Sequence, residues 1–439
     1  MTHNDFEEAL ESLTPAQKKV LWPFLAYQSD EEIAAYLNCT PANVRAHLTK
    51  ICKKFGFTND EGEYYSYRYD LVEVFIKHQQ EKVSSQWREK LLASQPEEPE
   101  FPGRPLAVDS QYYLVRPPAE QRALKILKPG ALVRIRGPRK TGKTSLLYRT
   151  LYEAREKGCQ TAAIKLYRAG DGILEDAQRF LQWFCIQVSD GVGLTPSLEK
   201  YWSELRGDAS SCSQYLQSYI LSQLEQPLVI GIDEADRLFE HPQTAKIFFG
   251  LVRGWSEEAK TSKLWQYFRQ IVVYASEVYI EFDLNQSPFN VGTPIRLLPF
   301  KVQQVKELAW CYGFKTFTEA QAQALIELVG GHPHLLQLAL YHLYDNWSFE
   351  QILATAASQT GIYSNHLQTL SDTLIAHSHL SSAFQIVIDA RGNPVTLEAK
   401  SAKQLEGLGL IIREDTESRV SCQLYQNYFE AHPTLIRKP

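Results

Sequence analysis

The sequence predicts an α/β protein whose core is a parallel sheet with helices on both faces. An all-α helix-turn-helix domain precedes this core, and a helical lid and a winged helix follow it. The main observation is that short apolar runs alternate with long amphipathic stretches between residues 131 and 276. Such alternation is typical of parallel strands that are buried on both faces. The segments before and after the core have helical patterns, and two more strand-like runs lie near the end of the chain.

Chain length and composition indicate several domains. A chain of 439 residues is too long for one ordinary hydrophobic core, and about three domains are expected. Prolines 96, 99, 102 and 105 mark a linker, because proline favours extended backbone. The predicted domains are a helix-turn-helix domain (1–80), a helix end with a Pro-rich linker (81–107), the α/β core (108–302), the lid (303–378) and the winged helix (379–439).

Charge and cysteine usage exclude some classes of protein. The seven cysteines are scattered without a CxxC pair, so the sequence suggests neither a disulfide framework nor a zinc site. No apolar stretch approaches the ~18 residues of a membrane helix, and the acidic N-terminus lacks a secretory pattern. We therefore expect a cytoplasmic protein without a membrane partner. The net charge of -5 gives no global reason to bind nucleic acid.

The N-terminal domain contains a helix-turn-helix pattern. Ser29 is positioned to cap one helix, and Thr40 followed by Pro41 is positioned to start the next. Five apolar residues have the spacing expected of helix positions that pack into the core of the domain: Ile33, Leu37, Val44, Leu48 and Ile51. The outward residues of the second helix, which would face DNA in a major groove, are Asn43, Arg45, His47, Thr49 and Lys50.

The charge of this domain does not decide whether its partner is DNA or another protein. Residues 41–54 contain no acid, which favours DNA binding. Residues 1–80, however, contain 8 basic and 12 acidic residues, which is unfavourable for a domain that binds phosphates. The alternative is a helical adaptor that binds another protein.

A glycine-containing loop follows the first apolar run, residues 131–136. It has the pattern G-x-x-x-x-G-K-T and leads into a helical stretch, which is the context of a phosphate-binding P-loop. Lys143 is expected to reach the β- and γ-phosphates of ATP, and the Thr144 hydroxyl is expected to bind Mg²⁺. The nucleotide-binding residues predicted in this loop are Gly137, Lys140, Thr141, Gly142, Lys143, Thr144 and Ser145.

Acidic and polar residues end two later apolar runs. Asp233 follows the run at 227–232 and is the expected second Mg²⁺ ligand, while Glu234 is the candidate catalytic base for an attacking water. Ser276 ends the run at 270–276 and is predicted to sense the γ-phosphate, with a plain strand-end hydroxyl as the alternative. Arg269 is interpreted either as an arginine finger or as a solvent-facing side chain.

The C-terminal third has a helical pattern that is interrupted at Gly330-Gly331-His332-Pro333. After about residue 380, short helices precede the strand-like runs "LGLIIRE" and "RVSCQLY", with the polar stretch "EDTES" as the turn between them. This arrangement predicts a winged helix.

These motifs together resemble the AAA-like, STAND-related P-loop ATPase family of bacterial and cyanobacterial signalling and conflict-system proteins. The resemblance covers residues 108–430 through "GPRKTGKTSLL", "LVIGIDEADRLFE" and "LVGGHPHLLQLALYHL". It implies that Tyr113, Arg116, Pro117 and Pro118 lie over the adenine and that Pro333 contacts the nucleotide. For Pro333, a simple role in starting a helix is the alternative. The N-terminal segment resembles LuxR-type and vWA–MoxR-associated helix-turn-helix heads.

Two functions are compatible with this organisation. The first is a slowly hydrolysing ATPase that acts as a regulatory switch and couples its ATP or ADP state to the helix-turn-helix head, with nucleotide-dependent homo-oligomerisation and a separate protein effector. The alternative is a DNA-handling ATPase, similar to origin-recognition or transposition-helper proteins, with DNA-stimulated turnover. A scaffold with an inactive P-loop is the least compatible, because Lys143, Thr144, Asp233 and Glu234 are all present.

Overall fold

The computed structural model describes residues 3–57, 67–87, 99–275 and 291–436. The chain divides into two compact units. The first contains residues 1–100 together with Lys306–Phe317, and the second contains Phe101–Val305 and Thr318–Pro439. The two units are called the head unit and the ATPase-like unit below. The domain boundaries drawn from the sequence stay predictions.

The head unit is helical. Its helices begin where the sequence supplies caps: the hydroxyls of Thr14 and Ser29 each accept a backbone hydrogen bond three residues ahead, and Gln17 and Glu32 close reciprocal capping boxes. Thr40 caps the next helix in front of Pro41. The helices are α1 (His3–Glu11), α2 (Pro15–Leu25), α3 (Asp30–Tyr36), α4 (Pro41–Lys54) and α5 (Arg68–His78).

The predicted core positions of the helix-turn-helix agree with the structure. Ile33, Val44, Leu48 and Ile51 are buried in the main hydrophobic cluster of the head unit, and Leu37 packs against it while partly exposed. Phe6, Phe55 and Phe75 complete an aromatic centre, with ring centroids 5.1 to 5.6 Å apart.

Part of the stretch predicted to be lid belongs to the head unit. Helix α12 (Val302–Cys311) begins in the ATPase-like unit and ends in the head unit. Its Trp310 packs against the hydrophobic cluster of the head, and the Lys315 ammonium lies 5.8 Å from the centre of the Trp310 ring. Burial, with the Asp70 carboxylate, raises the pKa of Glu307 to about 7. The head is therefore built from two stretches of chain that are distant in sequence.

The ATPase-like unit contains a five-stranded parallel sheet with strand order β2-β3-β4-β1-β5. Four strands match the predicted apolar runs to within two residues at either end, and the fifth is a short strand that the sequence pattern did not reveal. The strands are β1 (Leu132–Arg136), β2 (Gln160–Lys165), β3 (Leu228–Asp233), β4 (Phe268–Tyr274) and β5 (Thr293–Arg296).

Alternate residues of these strands serve two hydrophobic layers. Val133 and Ile135 of β1 belong to one cluster, whereas Leu132 belongs to the cluster on the opposite face. Helices pack on both faces, which confirms the predicted α/β class. The helices of the core are α6 (Ala119–Ala123), α7 (Lys143–Glu156), α8 (Asp171–Leu174), α9 (Ala177–Gly191), α10 (Asp208–Tyr215) and α11 (Pro242–Glu258).

The helices that follow β5 and α12 form the lid region and the C-terminal module. Gly330, with φ of 64°, ends one of them in the left-handed conformation, and Pro333 starts the next at its first turn. They are α13 (Glu319–Val329), α14 (Pro333–Tyr344), α15 (Phe349–Thr355), α16 (Ser364–Ala376), α17 (Ser378–Asp389), α18 (Ala399–Leu408) and α19 (Gln423–Ala431).

The C-terminal module contains a winged-helix sheet with two differences from the prediction. It has three antiparallel strands in the order β6-β8-β7, namely β6 (Val395–Thr396), β7 (Ile411–Glu414) and β8 (Glu417–Val420). The turn between β7 and β8 consists of Asp415 and Thr416 only. Asp415 has φ of 53°, because a two-residue hairpin turn needs left-handed backbone. The run "RVSCQLY" is therefore strand only up to Val420, and its end starts α19.

Candidate functional site

The phosphate-binding pattern forms a tight loop between the end of β1 and the start of α7. Lys140 has φ of 59° and Gly142 has φ of 93°, so the loop turns twice through the left-handed region. Glycine suits position 142 because side-chain-bearing residues rarely adopt this φ, and an added Cβ atom would also lie 2.8 Å from a guanidinium nitrogen of Arg116. The Thr141 hydroxyl donates to the Pro138 carbonyl at 2.8 Å and tightens the loop.

The Lys143 side chain folds back over the loop. Its Nζ donates to the carbonyl oxygens of Gly137 at 2.9 Å and Pro138 at 2.6 Å. These are weaker acceptors for an ammonium group than a phosphate, because an anionic oxygen adds the attraction between opposite charges to the hydrogen bond. The ammonium group is thus held near the loop, where an anion can replace the carbonyl contacts.

Two oxygen ligands suited to a divalent cation meet at the edge of the sheet. Thr144 Oγ1 lies 3.3 Å from Asp233 Oδ1 at the carboxyl end of β3. Burial raises the pKa of Asp233, opposed by its hydrogen bonds from Thr144 and from the Glu234 N–H. A hydroxyl and a carboxylate are ligands that Mg²⁺ prefers, and a bound cation would offset the cost of burying this carboxylate.

Glu234 follows in an unusual backbone conformation, with φ of 56°. Burial raises the pKa of its carboxyl group, and the neighbouring carboxylates of Asp233 and Asp236 raise it further. Asp236 in turn accepts the backbone N–H of Ala275 at 2.7 Å, which ties this turn to the end of β4. The carboxylate of Glu234 is therefore placed beside the loop and has increased proton affinity.

A buried arginine supports the loop from the segment in front of α6. Arg116 donates through Nη1 to the Thr141 carbonyl at 2.8 Å, and its guanidinium lies 5.4 Å from the centre of the Phe300 ring. Glu120 accepts both the Arg116 backbone N–H and the Tyr113 hydroxyl, at 2.8 and 2.9 Å. This network fixes the predicted adenine segment against the phosphate loop.

The loop, the acidic turn and the lid enclose one cavity of about 550 Å³. That volume is within the range of about 300–1,000 Å³ that small-molecule sites occupy. Ten of the predicted site residues line it: Arg116, Lys140, Thr141, Gly142, Lys143, Thr144, Ser145, Asp233, Glu234 and Pro333. Gly137 instead supplies a carbonyl to Lys143, and Pro117 is half-buried beside the cavity-lining Arg116.

The structure adds residues that the motifs did not reveal. Gly103–Leu106, from the end of the predicted linker, line the cavity, and the Leu106 N–H donates to the Ser145 hydroxyl at 3.0 Å. Arg237 and His334 also line it. The "DEADR" run could have drawn attention to Arg237, whereas no local signal marks the linker residues.

The sequence also singled out Ser276 as a γ-phosphate sensor and Arg269 as a possible arginine finger. Ser276, the predicted sensor, lies outside the described residues. Arg269 is neither a finger nor solvent-facing: it is buried, and its Nη1 contacts Cys159 Sγ at 3.5 Å. It occupies the start of β4, whereas the phosphate loop follows the carboxyl end of the adjacent strand β1.

The head unit presents most of the predicted DNA-facing residues on α4. Asn43, Arg45, Thr49 and Lys50 are exposed. His47 is half-buried and is a weaker candidate for a base contact. The basic residues Lys53 and Lys54 at the end of α4 are exposed as well, and no acid interrupts this helix.

Comparison with known families agrees with this geometry. Residues 101–431, about three quarters of the chain, match the family described as "AAA-like domain". The chain belongs to this AAA-like family. Residues 11–64 of this AAA-like protein match a second family, "Bacterial regulatory proteins, luxR family", so the head carries a LuxR-type helix-turn-helix. No curated protein matches the chain.

Solved structures with a similar fold include several P-loop ATPases. A Walker-type ATPase of Pyrococcus abyssi is 15% identical with a TM-score of 0.49, covering 73% of this chain and 100% of that one. The ORC2 protein of Aeropyrum pernix, in its ADPNP–ADP complexes, is 14% identical with a TM-score of 0.46, covering 72% and 91%. Cdc6p from Pyrobaculum aerophilum is 13% identical with a TM-score of 0.37, covering 75% and 97%.

Two features are absent from the described part of the AAA-like protein. Among the described residues, no helix combines the length and apolar character needed to cross a membrane. Within the same residues, no cluster of three or more histidine, cysteine or acidic side chains has an arrangement that could hold a metal ion.

Proposed function

We propose that this protein is an ATP-dependent switch that couples nucleotide binding and slow hydrolysis to the state of its LuxR-type head. Membership of the AAA-like family supports the nucleotide site, as does a cavity that contains Lys143, Thr144, Asp233 and Glu234 together. The match to LuxR-type regulators supports the head as the output module.

Each site residue has a role in this proposal. Lys143 exchanges its contacts with the Gly137 and Pro138 carbonyls for oxygens of the β- and γ-phosphates. Thr144 and Asp233 would hold Mg²⁺, which would supply positive charge to neutralise the phosphates. Glu234 orients the attacking water and accepts its proton, a role that suits a carboxylate with a raised pKa.

The observation that carries the coupling is the course of the chain at Lys306–Phe317. This segment is flanked on both sides by residues of the ATPase-like unit, yet it forms part of the head unit. Trp310 packs against the same cluster that contains the buried residues of the helix-turn-helix. Because helix α12 is continuous from Val302 to Cys311, a shift of the lid region would displace this part of the head core.

DNA is the proposed partner of the head. Exposed Asn43, Arg45, Thr49 and Lys50 on an acid-free helix support this proposal, and the LuxR-type match gives the same indication. The acidic balance of the head predicts weak, salt-sensitive binding unless the head assembles into dimers or larger oligomers. Nucleotide-dependent homo-oligomerisation is therefore part of the proposed mechanism.

The test measures mass by light scattering and DNA affinity by fluorescence anisotropy, each with ADP and with a slowly hydrolysed ATP analogue. We expect the analogue alone to drive assembly and to strengthen DNA binding in wild type. Lys143→Ala should abolish both responses, whereas Lys157→Ala, an exposed lysine at the end of α7, should retain them. Assembly or hydrolysis that requires DNA would instead favour the DNA-handling ATPase.

A second variant tests the coupling itself. Trp310→Ala weakens the docking of the 306–317 segment and leaves every cavity residue in place. It should bind the ATP analogue with wild-type affinity while losing the nucleotide dependence of assembly or DNA binding. A Trp310→Ala protein that still responds to the analogue like wild type would contradict the proposed route.

A further inference from the structure

Two histidines of the lid contact consecutive residues of the phosphate loop. His334 Nε2 lies 3.2 Å from Lys140 Nζ, and His332 Nε2 lies 3.1 Å from the Arg139 carbonyl oxygen. The two histidines flank Pro333 at the start of α14, and all four residues belong to the ATPase-like unit. His332 and His334 are called the lid clasp below.

The partners determine how the clasp is protonated. A lysine ammonium has only donors, so Nε2 of His334 accepts from Lys140 and His334 is neutral. A carbonyl oxygen can only accept, so Nε2 of His332 donates to Arg139. Burial lowers the pKa of His334 to about 3 and that of His332 to about 4, which agrees with neutral rings near pH 7. The clasp therefore operates through hydrogen bonds and not through its own charge.

The clasp contacts the strained part of the loop. Lys140 adopts φ of 59° although it has a side chain, and such a conformation persists only where the surrounding structure holds it. Its side chain is held by His334, and the carbonyl of the peptide bond that precedes it is held by His332. Because C=O and N–H of a trans peptide point in opposite directions, fixing this carbonyl also fixes the direction of the Lys140 N–H.

We propose that His332 and His334 are positioning residues for nucleotide binding, which hold the Arg139–Lys140 peptide of the phosphate loop in its left-handed conformation from the lid side. Backbone N–H groups of such a loop bind phosphate only when they already point inward. The sequence predicts Lys140 as a nucleotide ligand. In this proposal the Lys140 side chain contacts the lid, and the backbone N–H of Lys140 binds the phosphates. This inference rests on the proposed nucleotide site.

The experiment is a mutant cycle on the full chain, with the affinity for a slowly hydrolysed ATP analogue and Mg²⁺ measured by calorimetry. His334→Ala should weaken binding about 10-fold, which corresponds to about 1.4 kcal/mol. His334→Gln should restore most of the affinity, because its amide oxygen can accept from Lys140. In a Lys140→Gly background, where the left-handed backbone needs no support, His334→Ala should cost less than about 2-fold. An equal loss in both backgrounds would overturn the proposal.

Controls separate this inference from its premise. His379→Ala removes an exposed histidine that contacts Gln404 and should leave the affinity unchanged. Thermal unfolding without nucleotide shows whether His334→Ala is folded, and Lys140→Ala tests the same hydrogen bond from the loop side. If Lys143→Ala binds the analogue as wild type does, the proposed nucleotide site fails. If Lys143→Ala loses binding while His334→Ala does not, only the lid clasp fails.

Discussion

Two walls of the cavity differ in how the chain builds them. The loop wall, Lys140–Ser145, is one continuous stretch of lysine, glycine and hydroxyl-bearing residues that lines the cavity. The lid wall, formed by Pro333, His334 and Gln337, comes from almost 200 residues further along the chain. Polar and charged groups dominate the loop wall, whereas the lid wall has uncharged side chains, of which Pro333 and His334 are buried. Changes in the loop wall should therefore alter chemistry, and changes in the lid wall should alter stability and fit.

The largest effect is expected at Lys143. Removing its ammonium leaves the developing charge on the phosphates without its nearest cation. We expect Lys143→Ala to reduce ATP hydrolysis about 10³-fold and to weaken nucleotide binding, with the unfolding temperature without ligand almost unchanged. Phosphate release assays measure the rate. A Lys143→Ala protein that hydrolyses ATP at the wild-type rate would remove Lys143 from the mechanism.

The next effect separates binding from chemistry. Glu234→Gln keeps the size and hydrogen-bonding capacity of the side chain but removes the base. Hydrolysis should fall about 10²-fold, and the affinity for the ATP analogue should stay within about 3-fold of wild type. Single-turnover kinetics and calorimetry on the same preparation measure both quantities. Parallel losses of rate and affinity would indicate that Glu234 binds the ligand.

On the lid side, Gly331 is expected to matter through packing. It has φ of 71°, and an added Cβ would lie 2.3 Å from the Phe300 carbonyl oxygen. Gly331→Ala should destabilise the protein by about 2 kcal/mol, measured by chemical denaturation. The matched control is Gly250→Ala on the exposed face of α11, where nothing lies within 4 Å of the added methyl group and a slight stabilisation is expected.

The last prediction concerns a difference in pH dependence between the two walls. Burial lowers the pKa of His334 in the lid wall to about 3 and that of His332, two residues before it, to about 4, so the unfolded chain binds more protons than the folded one below pH 6.5. Their contribution is fully present above pH 6.5 and is lost as the pH falls toward 4, by about 1.4 kcal/mol per pH unit for each histidine. Burial raises the pKa of Asp233 and Glu234, which gives the opposite sign. Unfolding temperatures between pH 5 and 7 measure the balance, and His332→Gln should flatten the slope.

Local patterns were sufficient for the features that a short stretch of chain determines. The helix caps at Ser29 and Thr40, the apolar runs of β1 to β4 and the phosphate loop depend on neighbours within a few residues. The fold class follows from them, because a strand buried on both faces needs an apolar run and a helix needs a cap and a stripe. The short strand β5 lacked this signal: its four residues include an exposed proline and arginine, and pairing with β1 defines it.

What only the tertiary structure decided are the contacts between distant stretches. The sequence placed Lys306–Phe317 in the lid, but this segment belongs to the head unit, where the partly buried Trp310 packs against the hydrophobic cluster. The sequence offered Lys140 to the nucleotide, but its ammonium contacts His334, 194 positions away. Sequence patterns specify which face of an element is apolar and which backbone turns are possible. The partner of each face depends on packing the whole chain, because burial and hydrogen bonding act between residues that are close in space, whatever their separation in sequence.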